Sequence, residues 1–444
     1  MAFRLTIRGV LLVTVAAGTL MIEPVGGASA TLHRSYRVVQ LDSLGGVNSR
    51  GNSINNLGLV AGYSNLAAGD RRHATAWVFG TPVDLNTLGG PNSNIAWPVK
   101  NVTGMLAGIA QTSEPEPDEA WSCSAFFGAP FATGFTCRGV VWEWGAIRAL
   151  PTLGGRNSFA TGVNNHRQVV GWSENTVVDT TTCASPQIFQ FRAVVWGPGK
   201  NDIRELPLVQ GDNSSAATAI NDAGQVAGIS GTCDQAIGRA TAKHAVLWNR
   251  GQITEIPNIG GDKWNTPMAI NQRGDIVGFL GQAGDDPDNP RLRAFLWTSE
   301  RGTQNLGTLP GDDYSEARGI NVRRQVVGVS CVDPSLVSCR AFLWENGVMS
   351  DLNDLAPTTP GGAVLINGQD INDAGVITGR AFIAGPPAVR YAFVAIPNAR
   401  LAVNDAGNSS DAVRERKRVT LPPDVALEMR SPMGPLPGSR MSRP

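Results

Sequence analysis

The chain has 444 residues with Gly 52, Pro 28, only 17% charged residues and a formal net charge of +0 at pH 7. A balanced charge without a basic stripe excludes a phosphate-rich partner such as nucleic acid. The length admits two or three ordinary domains or one large repeat domain, and the glycine and proline content asks for many tight turns.

The first thirty residues read as an export signal. Arg4 and Arg8 give a positive start, residues 9–22 form an apolar run too short to span a bilayer, and Ala28-Ser29-Ala30 supplies small residues for cleavage. An uncleaved anchor is the alternative, disfavoured because Pro24 and Gly26 follow the apolar run so closely. No later segment is apolar for long enough to cross a membrane. The mature chain is therefore expected outside the cytoplasm, secreted or periplasmic, without a membrane span.

Residues 36–44 form a first strand that closes on Leu44-Gly45-Gly46, and three further strands follow at 52–54, 59–63 and 75–79. The next unit opens at 83–88, and the same four-part pattern restarts from Ile147, Ile203, Ile253, Gln304 and Val348. Residues 217–228, Ala-Thr-Ala-Ile-Asn-Asp-Ala-Gly-Gln-Val-Ala-Gly, show the repeat most fully. Its Asn recurs as Asn55, Asn101, Asn164, Asn221, Asn271, Asn321 and Asn372, and the Gly seven residues on as Gly62, Gly108, Gly171, Gly228, Gly278, Gly328 and Gly379. A period of roughly 50 residues means one closed repeat domain.

Turn chemistry makes the runs strands. The Asn-Asp-Ala-Gly turns at 221–224 and 372–375 and the Trp-x-x-Gly turns at 248–251 and 344–347 suit hairpins, and the β-branched and aromatic runs between them are too short for helices. The Asn is expected to serve its turn, through left-handed backbone or a side-chain-to-backbone bond. The pattern begins with a fourth-type strand and ends on a third-type strand at 391–396. The two remnants complete one unit, so the chain is expected to be all-β, a seven-bladed β-propeller of four-stranded blades, closed by pairing 36–41 with 391–396. An open solenoid would need polar caps that are not seen. The expected domains are a signal peptide at 1–30, the propeller at 31–397 and a disordered basic, Pro-rich tail at 398–444, with Arg-Glu-Arg-Lys-Arg at 414–418.

With the Ala-Ile-Asn strand innermost, the Asn and Trp-x-x-Gly turns share one face, and the Leu-Gly-Gly-x-Asn-Ser connections and variable loops share the other. The loop-rich face carries the insertions at 112–136, with Trp121, Phe126, Phe127 and Phe131, and at 173–190. Rigid scaffolds usually bind through such loops, so this face is the expected binding face. The six cysteines lie there. Cys123 with Cys137 and Cys331 with Cys339 are expected to bridge within loops, and Cys183 with Cys233 between neighbouring units. Without a Cys-x-x-Cys pair or a nearby His, no metal is expected.

The third strand opens on a polar residue in each unit: His73, Arg138, Arg192, His244, Arg293, Arg340 and Tyr391. Together with Trp121 these are the candidate binding residues, because an Arg fork clamps carboxylates or stacks on rings. A group repeated in every unit more often ties units together, and that structural role weighs more here. Trp77, Trp142, Trp196, Trp248, Trp297 and Trp344 are assigned to packing between units. Glu205, Glu255 and Asp351 show no pairing that sequence alone certifies. Gly-x-Ser-x-Gly, His-Glu-x-x-His, phosphate-cradling and EF-hand patterns are all missing, so no catalytic residue and no cofactor is expected.

Arg293-Ala294-Phe295-Leu296-Trp297, the strand 306–309 and the recurring Ile-Asn-x-x-Gly-x-Val-x-Gly resemble the HAF family of extracellular repeat proteins, over residues 36–397. The resemblance implies exported, largely bacterial proteins without an established activity. The chain departs from the family's His-Ala-Phe in using Arg in most units, and has Ala395 where other units have Trp. The expected function is a secreted non-catalytic binding or scaffold propeller that holds a glycan or protein on the loop-rich face. The alternative is a propeller-fold polysaccharide hydrolase or lyase, which would need carboxylates brought together from different blades.

Overall fold

The computed structural model describes residues 35–116, 127, 131, 134–143, 145–180, 188–232, 243–260, 264–281, 291–398 and 418–425. The signal segment 1–30, Trp121, Cys123, Cys183 and Cys233 lie outside the described residues.

Strand β1 (Tyr36–Gln40) precedes seven runs of strands. Unit 1 contains β2 (Gly45–Ile54), β3 (Val60–Leu66), β4 (Arg72–Val78) and β5 (Thr81–Asp84), and unit 2 contains β6 (Gly89–Asn94), β7 (Leu106–Pro115), β8 (Phe135–Glu143) and β9 (Ala146–Ala149). Unit 3 has β10 (Ser158–Val163), β11 (Val169–Val178), β12 (Phe189–Trp196) and β13 (Ile203–Glu205), and unit 4 has β14 (Ser214–Ile220), β15 (Val226–Gly231), β16 (His244–Asn249) and β17 (Gln252–Ile256). Unit 5 comprises β18 (Trp264–Ile270), β19 (Ile276–Gly281), β20 (Leu292–Thr298) and β21 (Gly302–Gly307), and unit 6 comprises β22 (Tyr314–Ile320), β23 (Val326–Cys331), β24 (Cys339–Glu345) and β25 (Val348–Asp351). Unit 7 supplies three strands, β26 (Val364–Ile371), β27 (Ile377–Ile383) and β28 (Val389–Pro397).

Units 2 to 6 are separate four-stranded antiparallel sheets in chain order. Strand β1 pairs with β28, Val38 opposite Ala395 and Gln40 opposite Phe393, so unit 7 gains its fourth strand from the start of the chain. A single parallel bridge, Asn48 to Arg390, joins this sheet to unit 1. Burial falls outward through each sheet: β14 and β18 are buried throughout, while β5 and β17 alternate with solvent.

The recurring residues are explained by contacts between sheets. Each repeat Asn uses its carbonyl to accept backbone N–H groups of its own turn, as Asn271 does from Arg273 and Asp275 at 2.9 Å each. The left-handed backbone falls three residues later, at Gly58, Gly224, Gly274 and Gly375 but also at Arg167 and Arg324, so the Asn itself needs no positive φ. Its amide nitrogen reaches the next unit. Asn55 donates to Asn101 O, Asn164 to Asn221 O, Asn221 to Asn271 O, Asn271 to Asn321 O, Asn321 to Asn372 O, and Asn372 back to Asn55 O, all at 2.9–3.1 Å. Only Asn101 turns inward, to Met105 O.

The Leu-Gly-Gly-x-Asn-Ser stretch, expected as a connection, is one in unit 3, where strand begins only at Ser158, whereas in units 1 and 2 the strand already begins at Gly45 and Gly89. Its Ser hydroxyl ties it to the preceding unit by accepting a third-strand N–H, as Ser93 does from Ala74, Ser158 from Gly139, Ser215 from Ala193, Ser315 from Ala294 and Ser49 from Ala392. The repeat Gly faces a bulge in the first strand, seen between Gly51 and Ser53 and between Ala160 and Gly162. A Cβ on Gly171 would lie 1.8 Å from Phe159 O, and one on Gly62 would lie 2.0 Å from Arg50 O, so no side chain fits. The Trp set lies at the junctions as expected. Trp142, Trp196 and Trp248 donate Nε1 to Leu85, Pro151 and Pro207 carbonyls of the preceding unit, each at 2.7 Å.

Within the tail expected to be disordered, residues 418–425 are packed. Leu421 and Val425 are buried in the cluster that includes Trp264 and Tyr314, Leu421 N donates to Val337 O at 2.6 Å, and Arg418 and Asp424 pair with Asp312 and Arg390. Two apolar residues four apart behind Pro422 and Pro423 bury enough surface to order a segment whose composition alone reads as solvated. Among the described residues no helix is long and apolar enough to cross a membrane.

Asn271→Ala removes a bond to the next unit and two turn bonds inside the fold. Denaturant unfolding is expected to show a loss of roughly 2–4 kcal/mol, against about 0.5 kcal/mol or less for Leu57→Ala at a position 75% exposed. Equal losses would contradict the inter-unit role.

Candidate functional site

The seven polar residues at the start of the third strand occupy one register position. His73 lies opposite Ser64, Arg138 opposite Ala110, Arg192 opposite Ser173, His244 opposite Ser230, Arg293 opposite Leu280, Arg340 opposite Ser330 and Tyr391 opposite Ala381. Trp121, the eighth candidate, is outside the described residues.

Most of these basic side chains meet an acid within the fold. His73 Nδ1 meets Asp84 at 2.8 Å, His244 Nδ1 meets Glu255 at 3.0 Å, and Arg340 Nη1 donates to Asp351 at 2.8 Å, each acid standing eleven residues on, in the fourth strand or at its end. Arg192 Nε lies 3.5 Å from Glu205, and Arg293 pairs with Asp313 of the following connection. Arg340 Nη2 also donates to buried Asp312 at 2.8 Å. Partial burial pushes the Asp84 carboxyl up, but the His73 ring and the Asn86 N–H outweigh it and hold it below its ordinary value. The spacing of eleven was present in the sequence as the acids Asp84, Glu255 and Asp351, and it was the signal that these carboxylates had partners.

Two positions differ. Tyr391 donates its hydroxyl to Pro360 O at 3.0 Å, and burial pushes its pKa up to about 12. Arg138 finds Ala149 eleven residues on, in the strand paired with its own, and makes no hydrogen bond or ion pair among the described residues. It lies beside the 112–136 insertion.

A carboxylate pair from neighbouring units was not legible beforehand. Glu116 follows β7 of unit 2 and Glu174 lies in β11 of unit 3, both buried. Asn157 Nδ2 stands between them, 2.7 Å from Glu116 Oε2 and 3.2 Å from Glu174 Oε1. Glu174 Oε2 also accepts from the backbone N–H groups of Asn157 at 2.8 Å and Arg156 at 3.1 Å. Burial pushes the Glu174 pKa up to about 7 against these bonds, and the nearby Glu116 charge adds to the rise. Such a pair can hold one proton near neutral pH.

Cys331 and Cys339, opposite each other on β23 and β24, form a disulfide. Cys137 is also disulfide-bonded, and its expected partner Cys123 lies outside the described residues. Among the described residues no group of three or more His, Cys, Asp or Glu could hold a metal ion.

No family model and no curated protein matches the chain. Among solved structures, the uncomplexed acylaminoacyl peptidase of Pyrococcus horikoshii is similar over 81% of this chain and 53% of that one, at 10% identity and a TM-score of 0.39. The chain thus spans about half the length of that peptidase. The gluconolactonase XC5397 of Xanthomonas campestris is similar over 70% of this chain and 91% of that one, at 10% identity and a TM-score of 0.31. A subtype N10 neuraminidase-like protein of A/little yellow-shouldered bat/Guatemala/060/2010 is similar over 60% and 87% of the two chains, at 10% identity and a TM-score of 0.31. What the chain's own coordinates define is an all-β protein of repeated four-stranded sheets.

Because the folded pKa of Glu174 lies above its ordinary 4.5, its protonated form adds stability in full below about pH 4.5, and that contribution is lost as pH rises through about 7. Glu174→Gln is therefore expected to match the parent's stability at pH 4 and to exceed it by on the order of 2–3 kcal/mol at pH 8. A difference that does not change between the two pH values would contradict the buried-acid reading.

Proposed function

We propose that the seven units form one seven-bladed β-propeller of the HAF type, closed by β1, and that it is an exported, non-catalytic binding or scaffold module. The ligand, a glycan or a protein, is held on the loop-rich face. The sheet order, the β1–β28 pairing and the bonds from Asn372 to Asn55 and Ala392 to Ser49 support closure.

The observation that carries the binding reading is Arg138. Of the basic residues that open the third strands it alone lacks a carboxylate among the described residues, and it follows the largest insertion, which carries Trp121 in its sequence. His73, His244, Arg192, Arg293 and Arg340 are committed to acids of their own fold and serve as struts, so the candidate surface narrows to unit 2. A guanidinium with no partner among the described residues, in a unit whose insertion carries aromatic residues in its sequence, suits an acidic sugar or an acidic protein surface.

The hydrolase reading has one observation in its favour, the Glu116–Asn157–Glu174 arrangement, in which one acid is protonated near neutral pH. Both carboxyls are buried and their bonds to Asn157 and to backbone N–H groups occupy them. They read more simply as a latch between units 2 and 3.

A glycan array and a pull-down with the mature chain test the choice. Retained ligand without turnover is expected, with affinity falling at least about tenfold in Arg138→Ala. Reducing-sugar release from a polysaccharide, abolished by Glu116→Gln or Glu174→Gln, would replace this reading with the hydrolase.

A further inference from the structure

The units are copies of one another, so equivalent positions at neighbouring junctions can be compared directly. Between units 2 and 3, on the face of the Asn turns, Trp196 backs a hollow of ≈ 50 Å³ lined by Glu143, Arg148, Leu150, Arg167 and Val169. Glu143 and Arg167 close it with an ion pair, and Arg148 Nη1 is occupied by Lys200 O at 3.2 Å. Between units 3 and 4 the same positions carry Trp248, Arg204, Leu206 and Val226, but Gly197 replaces Glu143 and Gly224 replaces Arg167. The plug is gone. The hollow measures ≈ 360 Å³ and shares Gln168, Val195 and Arg204 with a second of ≈ 510 Å³.

The polar groups left open in this groove are donors. Arg204 and Arg250 are exposed and make no hydrogen bond or ion pair among the described residues. Gln168 Oε1 accepts from Asn164 Nδ2 at 2.9 Å, which leaves its amide N–H groups as donors. The acids of the lining are already engaged. Asp222 accepts from Asn165 N at 2.8 Å and Asn165 Nδ2 at 2.7 Å, and Asp202 accepts from Gly199 N at 2.9 Å. Asp222 and Asp202 spend part of their acceptor capacity on these bonds, while the guanidinium forks of Arg204 and Arg250 are open, which favours an anionic, planar acceptor. Its volume is that of a site for a whole small molecule and exceeds what a bare ion fills.

We propose that the groove between units 3 and 4 is a binding site for a small molecule bearing a carboxylate, held by Arg204 and Arg250 with Gln168 beside them. It lies on the opposite face from Arg138 and does not rest on the reading of the loop-rich face.

Calorimetric titration of the mature chain with glucuronate, benzoate, glucose and inorganic phosphate tests this. Saturable binding of glucuronate or benzoate is expected, weakened at least about tenfold by raising salt from 0.02 to about 0.5 M, with phosphate weaker and glucose silent. If glucuronate alone binds, the sugar ring is read as well as the carboxylate; if benzoate alone binds, an apolar body is read. Both results support the site. Arg204→Ala and Arg250→Ala should each cost about tenfold in affinity with the thermal midpoint unchanged. Gly224→Glu should set a carboxylate against the two guanidinium groups and abolish binding, since Arg167 and Arg324 show that the same turn position, at φ 62 and φ 59, accepts a side chain. Equal binding of glucose or phosphate, no binding of either carboxylate, or indifference to the arginine variants would overturn the proposal.

Discussion

The structure depends on one bond made over and over, from the amide nitrogen of a repeat asparagine to the carbonyl of the asparagine in the next unit. A buried amide left without that partner costs on the order of 1–3 kcal/mol, so each unit is folded only beside a neighbour. The carbonyl end of the same side chain organises the turn, as when Asn321 accepts from Arg323 and Gln325. One residue type thus performs a local and a long-range task, and no other side chain of its length offers both a donor and an acceptor there. A second circuit lies beside it. Asp373 N reaches Asn56, Val102 N reaches Asn165, Asn165 N reaches Asp222, Asp222 N reaches Gln272, and Val322 N reaches Asp373. The two links it lacks are those that would have to end on Val102 and Val322, whose side chains accept nothing.

Much of this was legible in the sequence because it repeats. The Asn, the Gly seven residues on, the Trp and the Leu-Gly-Gly-x-Asn-Ser stretch recur in register, and the mismatch between a leading fourth strand and a trailing third strand pointed to the pairing of β1 with β28. The physical reasons were less legible than the positions. Asn was expected to serve its turn alone, whereas its amide also reaches the next unit, and the repeat Gly stands opposite a bulge in the first strand. A bulge there brings a carbonyl to within 1.8 Å of where a Gly171 Cβ would be, and only coordinates reveal that crowding.

What sequence did not disclose was pairing between residues that do not repeat. Glu116 and Glu174 belong to different units and to insertions of different length, so no period marks them, although Asn157 between them is part of the recurring Leu-Gly-Gly-x-Asn-Ser stretch. Arg418, Leu421 and Val425 dock from a stretch whose composition reads as solvated, because two buried side chains suffice. The open groove between units 3 and 4 appears only when two glycines, Gly197 and Gly224, are set against the Glu143–Arg167 pair that fills the same place one junction earlier. Candidate chemistry collects where a cation has no acid of its own fold among the described residues: Arg138, with Ala149 eleven residues on, and Arg204, with glycines at 197 and 224. Where the repeat is kept, polar groups are consumed by the scaffold.

Closure through the chain ends is the claim most directly open to measurement. Native-state hydrogen exchange of the chain, followed by mass spectrometry on peptides covering β1 and β28, reads it. Protection of 36–40 that equals that of 391–397 and is lost only with global unfolding is the expected result. Exchange of 36–40 at the rate of an unstructured peptide, while 391–397 stays protected, would contradict it.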